Sequence, residues 1–241
     1  MNAATLRILP SGDTALTVEF GRSIDPAISR RVLDLDRSVA SKAIAGITET
    51  VPTYRSLLVH YDPIQIGFSE LSDKLIALAQ RPLQTETAAR RWRVPVVYGG
   101  EFGIDLEDVA RAHQLMTSEI IARHAGSDYR VAMIGFTPGF AYLSGLDPSI
   151  ATPRRDNPRT ETPPGTISIG GAQACVQCLA GPSGWHLLGR TPVRTFHPHR
   201  DPVFLMEPGD AVSFYAIAAN EFEAMDRAAE RGDTVAELIT S

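Results

Sequence analysis

Lysine is nearly absent from this chain of 241 residues. Of its 23 lysines and arginines, only Lys42 and Lys74 are lysines. No Gly-Lys pair occurs, which excludes a GxxxxGK[ST] phosphate loop. No lysine follows Lys74, so a lysine Schiff base and a biotinyl-lysine are excluded from the rest of the chain. Any anion bound there must be held by arginine or by backbone amides.

Cysteine is equally scarce, since Cys175 and Cys178 are the only two, and they provide no disulfide framework. The segment ACVQC is predicted to be a strand, in which residues three apart point to opposite faces. We therefore expect neither a redox disulfide nor a zinc site here, and we predict no metal site in the chain. The sequence also lacks an HExxH zinc motif and a GxSxG nucleophile elbow.

Long apolar runs are missing as well. No segment approaches the roughly 18 apolar residues that a membrane helix needs, and the amino terminus does not resemble a signal peptide. We therefore expect a soluble, cytoplasmic protein. The net charge of -5 is not that of a general nucleic-acid binder. By contrast, residues 131–205 contain six arginines and four acidic residues, a balance that suits a small anionic ligand.

The first part of the chain, residues 1–84, is predicted to form a small α+β domain. A hairpin of Leu6–Pro10 and Ala15–Phe20 precedes a helix that begins at Pro26 and extends to Gly46. Two more strands and a second helix complete a ββαββα pattern. The polar stretch RPLQTETAARRW has no apolar periodicity and is predicted to be a linker.

Residues 85–241 are predicted to form a second domain that consists mainly of short strands. After Tyr129, the strand-like segments YRVAMIGF, TISIG, AQACVQC, WHLLGR, VFLM and AVSFYAI alternate with glycine- and proline-rich turns. Short, evenly spaced strands of this kind are typical of a closed β-barrel. Because helices are predicted before and after these strands, the fold class of the whole chain is α+β.

Glycine, proline and arginine are concentrated between Ile134 and Pro192, and this segment is the candidate site. Loops of this composition adopt special backbone shapes, and binding and catalysis often occur on such loops. In the loop GFTPGF and just beyond it, Phe136, Phe140 and Tyr142 predict an apolar wall beside a ligand. The alternative is that these rings only fill the barrel.

The other motifs of this segment offer charged and backbone groups. Arg154 and Arg159 each follow a proline that stiffens the chain, which suits a guanidinium that binds a carboxylate or phosphate. The alternative is a pair of solvated surface arginines. The glycines of PPGTISIGG predict either an anion-binding nest or a tight turn. His186 is a candidate acid or base, or else a histidine hydrogen-bonded within the barrel.

Taken in order, GFTPGFAYLSGL, TPRRDNPR, PPGTISIGGAQ, GPSGWHLLGRTP and DPVFLMEPGDAVSF resemble the KipI/PxpB family. That family includes the B subunit of the bacterial ATP-dependent 5-oxoprolinase, also called allophanate hydrolase subunit 1. The resemblance extends from about Trp92 to Ile217. It implies a cyclophilin-like barrel and an enzyme component that works with a related C subunit and with an A subunit. Such a complex cleaves 5-oxoproline to L-glutamate and consumes ATP, and the resemblance does not say which of the three polypeptides holds the ATP.

The resemblance also allows two other functions. Some relatives inhibit a sporulation histidine kinase, and similar domains form the carboxyltransferase part of urea-metabolising enzymes. This sequence departs from the usual family pattern at Gln177-Cys178, where relatives carry Tyr-Pro, and at Ser183, where they carry glycine. Both departures are close to the predicted cleft, so they bear on substrate preference.

These motifs together predict an arginine-lined cleft for a small anionic or cyclic amide substrate, completed by a partner polypeptide. Arginines would stabilise the anionic intermediates of an ATP-dependent amide cleavage. The predicted catalytic residues are Arg154, Arg159, His186 and Arg190. The predicted substrate-binding residues are Phe136, Pro138, Gly139, Phe140, Gly165, Gly170, Gln173, Trp185 and Thr191.

Overall fold

The computed structural model describes residues 6–83 and 90–239, which form two compact units, one in each range. The predicted domain boundary, between residues 84 and 85, lies outside the described residues, as does the middle of the predicted linker. Within the described part of the chain, no helix is both long and apolar enough to cross a membrane.

The first unit is a four-stranded antiparallel sheet with two helices. Its strands lie in the order β1-β2-β4-β3, and the helices pack their apolar faces into one core with the sheet. The predicted ββαββα pattern is confirmed. The elements are β1 (Arg7–Pro10), β2 (Ala15–Glu19), α1 (Pro26–Lys42), β3 (Ile47–Pro52), β4 (Ser56–Tyr61) and α2 (Phe68–Ala79).

Helix α1 begins as the sequence predicts and ends earlier. The Asp25 carboxylate accepts a hydrogen bond from the backbone N–H of Ala27, a typical N-cap contact. The prediction that the helix extends to Gly46 is wrong, because it ends at Lys42 and Ala43 adopts a left-handed conformation with φ of 43°. Gly46 instead lies against Ile66, where a Cβ atom would approach that side chain to 2.6 Å.

The second unit is a closed barrel of seven strands, so the predicted α+β fold with a β-barrel is confirmed. The ring runs β12-β9-β10-β7-β6-β13-β5, and β12 pairs again with β5 to close it. The β5–β13 pair is parallel and the other pairs of the ring are antiparallel. The elements are β5 (Arg91–Tyr98), α3 (Leu106–His113), α4 (Thr117–Ala125), β6 (Tyr129–Ile134), β7 (Ala141–Ser144), a 3-10 turn (Pro148–Ile150), β8 (Arg159–Thr162), β9 (Thr166–Gly170), β10 (Gln173–Val176), β11 (Gly181–Ser183), β12 (His186–Arg190), β13 (Ala211–Ala216), α5 (Ala219–Glu230) and β14 (Glu237–Ile239).

Side-chain alternation along the strands separates the barrel core from an outer surface. Ile167 and Ile169 on β9 join the main core, whereas Ser168 between them lies 3.0 Å from the Cys175 thiol on β10. Cys175 in turn packs against Trp185 in a separate, smaller cluster. The outer face of β9 and β10 therefore carries its own apolar layer, and the candidate site is next to it.

One predicted strand is wrong: VFLM at residues 203–206 is irregular, and Phe204 forms only an isolated bridge with Phe196. This segment is arranged around Arg200, whose guanidinium donates hydrogen bonds to the carbonyl oxygens of Arg194 and Val203. The Val203 carbonyl also accepts from the His197 N–H at 3.0 Å, and the Leu205 N–H donates to the Thr195 carbonyl at 2.8 Å. The segment therefore pairs with the nearby irregular residues 195–197. Strands β7, β8, β11 and β14 are short and were not predicted.

His124 on α4 is a fully buried histidine beside the barrel core. Its Nδ1 lies 2.8 Å from the Tyr98 hydroxyl, and its ring stacks on Phe214 at 4.8 Å between centroids. Its Nε2 has no hydrogen-bond partner among the described residues. Burial lowers the pKa of His124 to about 3, so the folded protein holds this ring neutral.

We expect this histidine to make the barrel less stable in mild acid. An unfolded histidine has a pKa of 6.5 and the folded one about 3, so the unfolded chain binds the extra proton between these values. The free energy of unfolding should fall by about 2 kcal/mol from pH 7 to pH 5 because of this residue. Urea unfolding followed by tryptophan fluorescence checks this, since Trp92 and Trp185 both lie in the second unit.

The variant His124→Gln should lose this part of the pH dependence, whatever its stability at pH 7. His199→Gln is the matched control, because His199 is exposed and should leave the slope unchanged. An unaltered slope in His124→Gln would show that His124 is not the group responsible.

Candidate functional site

A pocket of about 340 Å³ lies on the outer surface of the barrel, and we call it the aromatic pocket. Tyr142 comes from β7, and the loop before β7 supplies two phenylalanines. The loop before β8, strand β11 and the turn between β11 and β12 supply the rest. The lining residues are Phe136, Phe140, Tyr142, Arg154, Pro158, Pro182, Ser183, Gly184 and Trp185.

Four aromatic rings form a continuous row along the pocket. The centroid distances are 5.5 Å from Phe136 to Phe140, 4.6 Å from Phe140 to Tyr142 and 5.9 Å from Tyr142 to Trp185. Phe140 and Trp185 are buried, whereas Phe136 is 62% exposed. The row therefore runs from a packed floor to an open rim, and a flat ligand can stack on it.

Arg154 and Tyr142 give this apolar pocket its polar groups. The Arg154 guanidinium lies over the Trp185 ring at 5.6 Å from the centroid, within the range of a cation–π contact. Burial and, to a lesser degree, the neighbouring Cys175 raise the pKa of Tyr142, and Arg154 opposes this shift. The Tyr142 hydroxyl is therefore protonated at neutral pH and can donate a hydrogen bond.

The loop before β7 holds the rim in a strained conformation. Phe136 has a φ of 69°, and the N–H of Thr137 donates to the carbonyl of Gly135 at 2.9 Å, which closes a γ-turn around Phe136. A positive φ is costly for an aromatic residue, and such strain is common at functional sites. Gly139 has a φ of 73°, and a Cβ atom there would lie 2.6 Å from that of Phe196. The loop therefore fits only with glycine at this position.

Trp185 can occupy the floor of the pocket because Gly170 has no side chain. A Cβ atom on Gly170 would approach the indole ring to 2.7 Å. Gly170 was predicted to be a substrate-binding residue. In the structure the group that approaches it is this tryptophan.

The loop that carries Arg154 is anchored by the buried carboxylate of Asp105, just before α3. Arg159 donates two hydrogen bonds to it, at 2.6 and 2.9 Å, and Arg155 donates one at 3.1 Å. The backbone N–H of Leu187 donates a fourth at 2.8 Å. These four bonds tie the loop and the start of β8 to β12, next to Trp185. We call this arrangement the Asp105 cluster.

The structure brings four of the predicted site residues together and holds others in structural contacts. Phe136, Phe140, Arg154 and Trp185 line the aromatic pocket, and Gly139 and Pro138 belong to its rim loop. Arg159 is bound to Asp105. His186 donates from Nε2 to the carbonyl of Pro153 at 2.9 Å, so it helps to hold the loop that carries Arg154. Gln173 lies opposite Gly170 at the start of β10.

Arg190, Gly165 and Thr191 lie outside the aromatic pocket. The Arg190 guanidinium stacks on Phe222 at 5.2 Å, and its Nε donates to the carbonyl of Pro164. Burial lowers the pKa of Arg190. Thr191 donates its N–H to the Gly165 carbonyl, and a Cβ atom on Gly165 would overlap the Thr191 carbonyl oxygen. These contacts therefore tie the end of β12 to the turn before β9.

Neither cysteine shows the features of a reactive or metal-binding group. Burial raises the pKa of Cys175 to about 12, so its thiol is protonated at neutral pH. The Cys178 sulfur contacts the backbone of Phe196 instead. In residues 6–83 and 90–239, no three histidine, cysteine, aspartate or glutamate side chains come together as a metal site.

Comparison with known proteins identifies the family of this chain. Residues 6–206 match the carboxyltransferase domain family, subdomain C and D. The B subunit of 5-oxoprolinase from Bacillus subtilis (strain 168) is 34% identical over 227 residues, covering 88% of this chain and 93% of that protein. The chain belongs to the carboxyltransferase subdomain C and D class and, within it, to the KipI/PxpB family.

Other matches are to longer proteins, of which this chain covers less than half. Urea amidolyase from Lachancea kluyveri is 26% identical over 257 residues, covering 92% of this chain and 14% of that protein. The crystal structure of TTHA0988 matches with a TM-score of 0.76 and 33% identity, over 85% of this chain and 40% of that one. The Kluyveromyces lactis urea amidolyase shares the fold, with a TM-score of 0.83 at 22% identity, over 99% of this chain and 16% of that one.

The first prediction from the site concerns the Asp105 cluster. Asp105→Asn keeps the size of the side chain and removes the charge that faces Arg155 and Arg159. We expect the barrel to lose about 3 kcal/mol of unfolding free energy, because two partly buried guanidinium groups lose their carboxylate. Urea unfolding followed by tryptophan fluorescence measures this loss.

Asp108→Asn is the matched control for this experiment. Asp108 is one turn further along and pairs with the exposed Arg111, at 2.8 Å. Its loss should change stability by less than about 0.5 kcal/mol. Equal effects of the two substitutions would mean that the Asp105 cluster does not anchor the loop.

The second prediction concerns the floor of the pocket. Gly170→Ala should displace Trp185, destabilise the barrel by about 1 to 3 kcal/mol and alter tryptophan emission. Gly135→Ala is the control, since a Cβ atom there meets nothing within 4 Å. Unchanged emission from Gly170→Ala would contradict the packing of Trp185 on this glycine.

Proposed function

We propose that this chain is the B subunit of an ATP-dependent 5-oxoprolinase, which works with the A and C subunits to convert 5-oxoproline to L-glutamate. The observation that carries the proposal is the similarity to the B subunit of 5-oxoprolinase along nearly the full length of both chains. A protein named as a B subunit works in a complex with other subunits. This agrees with the aromatic pocket, which is open on the barrel surface.

The chemistry of the aromatic pocket suits 5-oxoproline. This substrate is a small five-membered lactam ring that carries one carboxylate. Its ring can stack on Trp185 or Tyr142, and its carboxylate can pair with Arg154, which reaches over the same indole ring. The protonated Tyr142 hydroxyl can donate a hydrogen bond to the lactam oxygen, where negative charge increases as the amide is attacked.

The same pocket does not suit ATP. Among the described residues that line it, Arg154 is the one cationic side chain, whereas a triphosphate carries several negative charges. The sequence has no phosphate loop that would supply the missing donors. We therefore propose that ATP binds away from the aromatic pocket, on a partner polypeptide or at an interface with one.

A second candidate function is the carboxyltransferase role of a urea-metabolising enzyme. The observation in its favour is the sequence match with urea amidolyase over 92% of this chain. The lower identity of 26% makes it the second choice. The two functions differ in substrate, so one assay separates them.

The proposed function is tested by mixing the purified chain with the A and C subunits from the same source. We expect ATP hydrolysis that depends on 5-oxoproline, with L-glutamate as the product, and no activity when this chain is left out. Activity with a urea-derived substrate in place of 5-oxoproline would favour the second candidate. A complete complex that is inactive with both substrates would refute the enzyme function and leave a regulatory binding protein.

Within that assay, Arg154→Gln should lower kcat/KM for 5-oxoproline about 10-fold or more, since a charge contact to the carboxylate is lost. Most of the loss should appear in KM. Arg111→Gln is the matched control, because Arg111 is exposed on α3 and lies outside the pocket. Equal kinetics of Arg154→Gln and the wild type would place the substrate elsewhere.

A further inference from the structure

We infer that the first unit carries a second binding site, for a small organic anion with an apolar body. The site is a pocket of about 510 Å³ between the end of α1 and one face of α2. This volume is within the range of small-molecule sites. We call it the lysine pocket, because Lys42 and Lys74, the only two lysines of the chain, both line it.

The lysine pocket has an excess of positive charge. Lys42, Lys74 and Arg81 line it, and Glu70 is the one acidic side chain among its described lining residues. Glu70 pairs with Lys74 at 3.2 Å. Lys42 and Arg81 have no ion pair among the described residues. Within residues 6–83 and 90–239, two positive charges at this pocket therefore have no acidic partner, in a chain whose net charge is -5.

Local helix chemistry explains the lysines only in part. Lys42 in the last turn of α1 interacts favourably with the helix dipole, and Lys74 with Glu70 is an ordinary i,i+4 pair. The same dipole effect applies to Arg81, which follows the end of α2. Neither effect accounts for the cavity that all three cations share. Like charges placed around one cavity repel each other, and a bound anion would relieve that repulsion.

The remaining lining indicates the rest of the ligand. Ile44, Ile66 and Leu78 give the pocket an apolar surface beside the cations. An inorganic anion would leave this surface exposed to water, and a neutral apolar molecule would leave the charges unmatched. A carboxylate with a short hydrocarbon body satisfies both parts, and octanoate is a suitable probe.

The scarcity of lysine makes the site directly observable in the full-length protein. Reductive methylation with a carbon-13 reagent labels Lys42, Lys74 and the amino terminus, and it keeps the lysine charge. We expect octanoate to shift the methyl signals of both lysines in a saturable titration. Octanol and inorganic phosphate test the apolar part and the anionic part separately, and each should bind at least about 5-fold more weakly.

Variants assign the binding to this pocket. Arg81→Gln and Lys42→Gln should each weaken octanoate binding about 5-fold or more, with the remaining lysine signals as the readout. Arg30→Gln, an exposed change on α1 outside the pocket, should have no effect. Arg154→Gln should also have no effect, because Arg154 belongs to the aromatic pocket of the other unit.

Four outcomes would overturn this inference. These are no saturable shift of either lysine, equal binding of octanol, equal binding of phosphate, and a loss of octanoate binding in Arg154→Gln but not in Arg81→Gln. None of these outcomes bears on 5-oxoproline cleavage, which the reconstituted complex tests separately.

Discussion

The buried carboxylate of Asp105 is the interaction on which the candidate site depends. A carboxylate with 2% exposure is costly to bury, and this cost is offset only by the charge and hydrogen bonds of Arg155, Arg159 and the Leu187 amide. The bonds join parts of the chain that are far apart in sequence. A proline- and arginine-rich loop, which would otherwise be mobile, thereby becomes a fixed wall of the aromatic pocket.

This constraint gives different roles to three arginines in the loop before β8 and at the start of β8. Arg155 and Arg159 hold the loop in place, and Arg154 is left to face the pocket over Trp185. The wall on the other side is held differently, by the γ-turn at Phe136 and the glycine contact at Gly139. One side of the pocket is thus fixed by charge and the other by backbone shape, which leaves the aromatic floor accessible between them.

The sequence predicts the parts of this structure that depend on local periodicity. The ββαββα unit and most barrel strands follow from alternation and turn residues, and the ordered motifs indicate the family. Asp105 was missed because an aspartate just before a helix looks like an N-cap, and nothing nearby in sequence shows that two distant arginines bind it. The structural role of Arg159 could not be predicted either, because its partner Asp105 is 54 residues away in the sequence. The VFLM segment has a strand-like composition, but its backbone bonds to the nearby irregular residues 195–197 and to the Arg200 guanidinium.

The way the barrel closes also has a consequence for how the protein is made. Strand β5 opens the second unit, yet its parallel partner β13 is the last strand of the ring, and Arg90 binds Asp210, 120 residues away. A ribosome must therefore release the chain as far as β13 before the ring can form, whereas the strands of the first unit end at Tyr61. Until then the apolar strands that will enclose the core are exposed. The second unit thus passes through a longer period of synthesis in which its core strands lack their final partners.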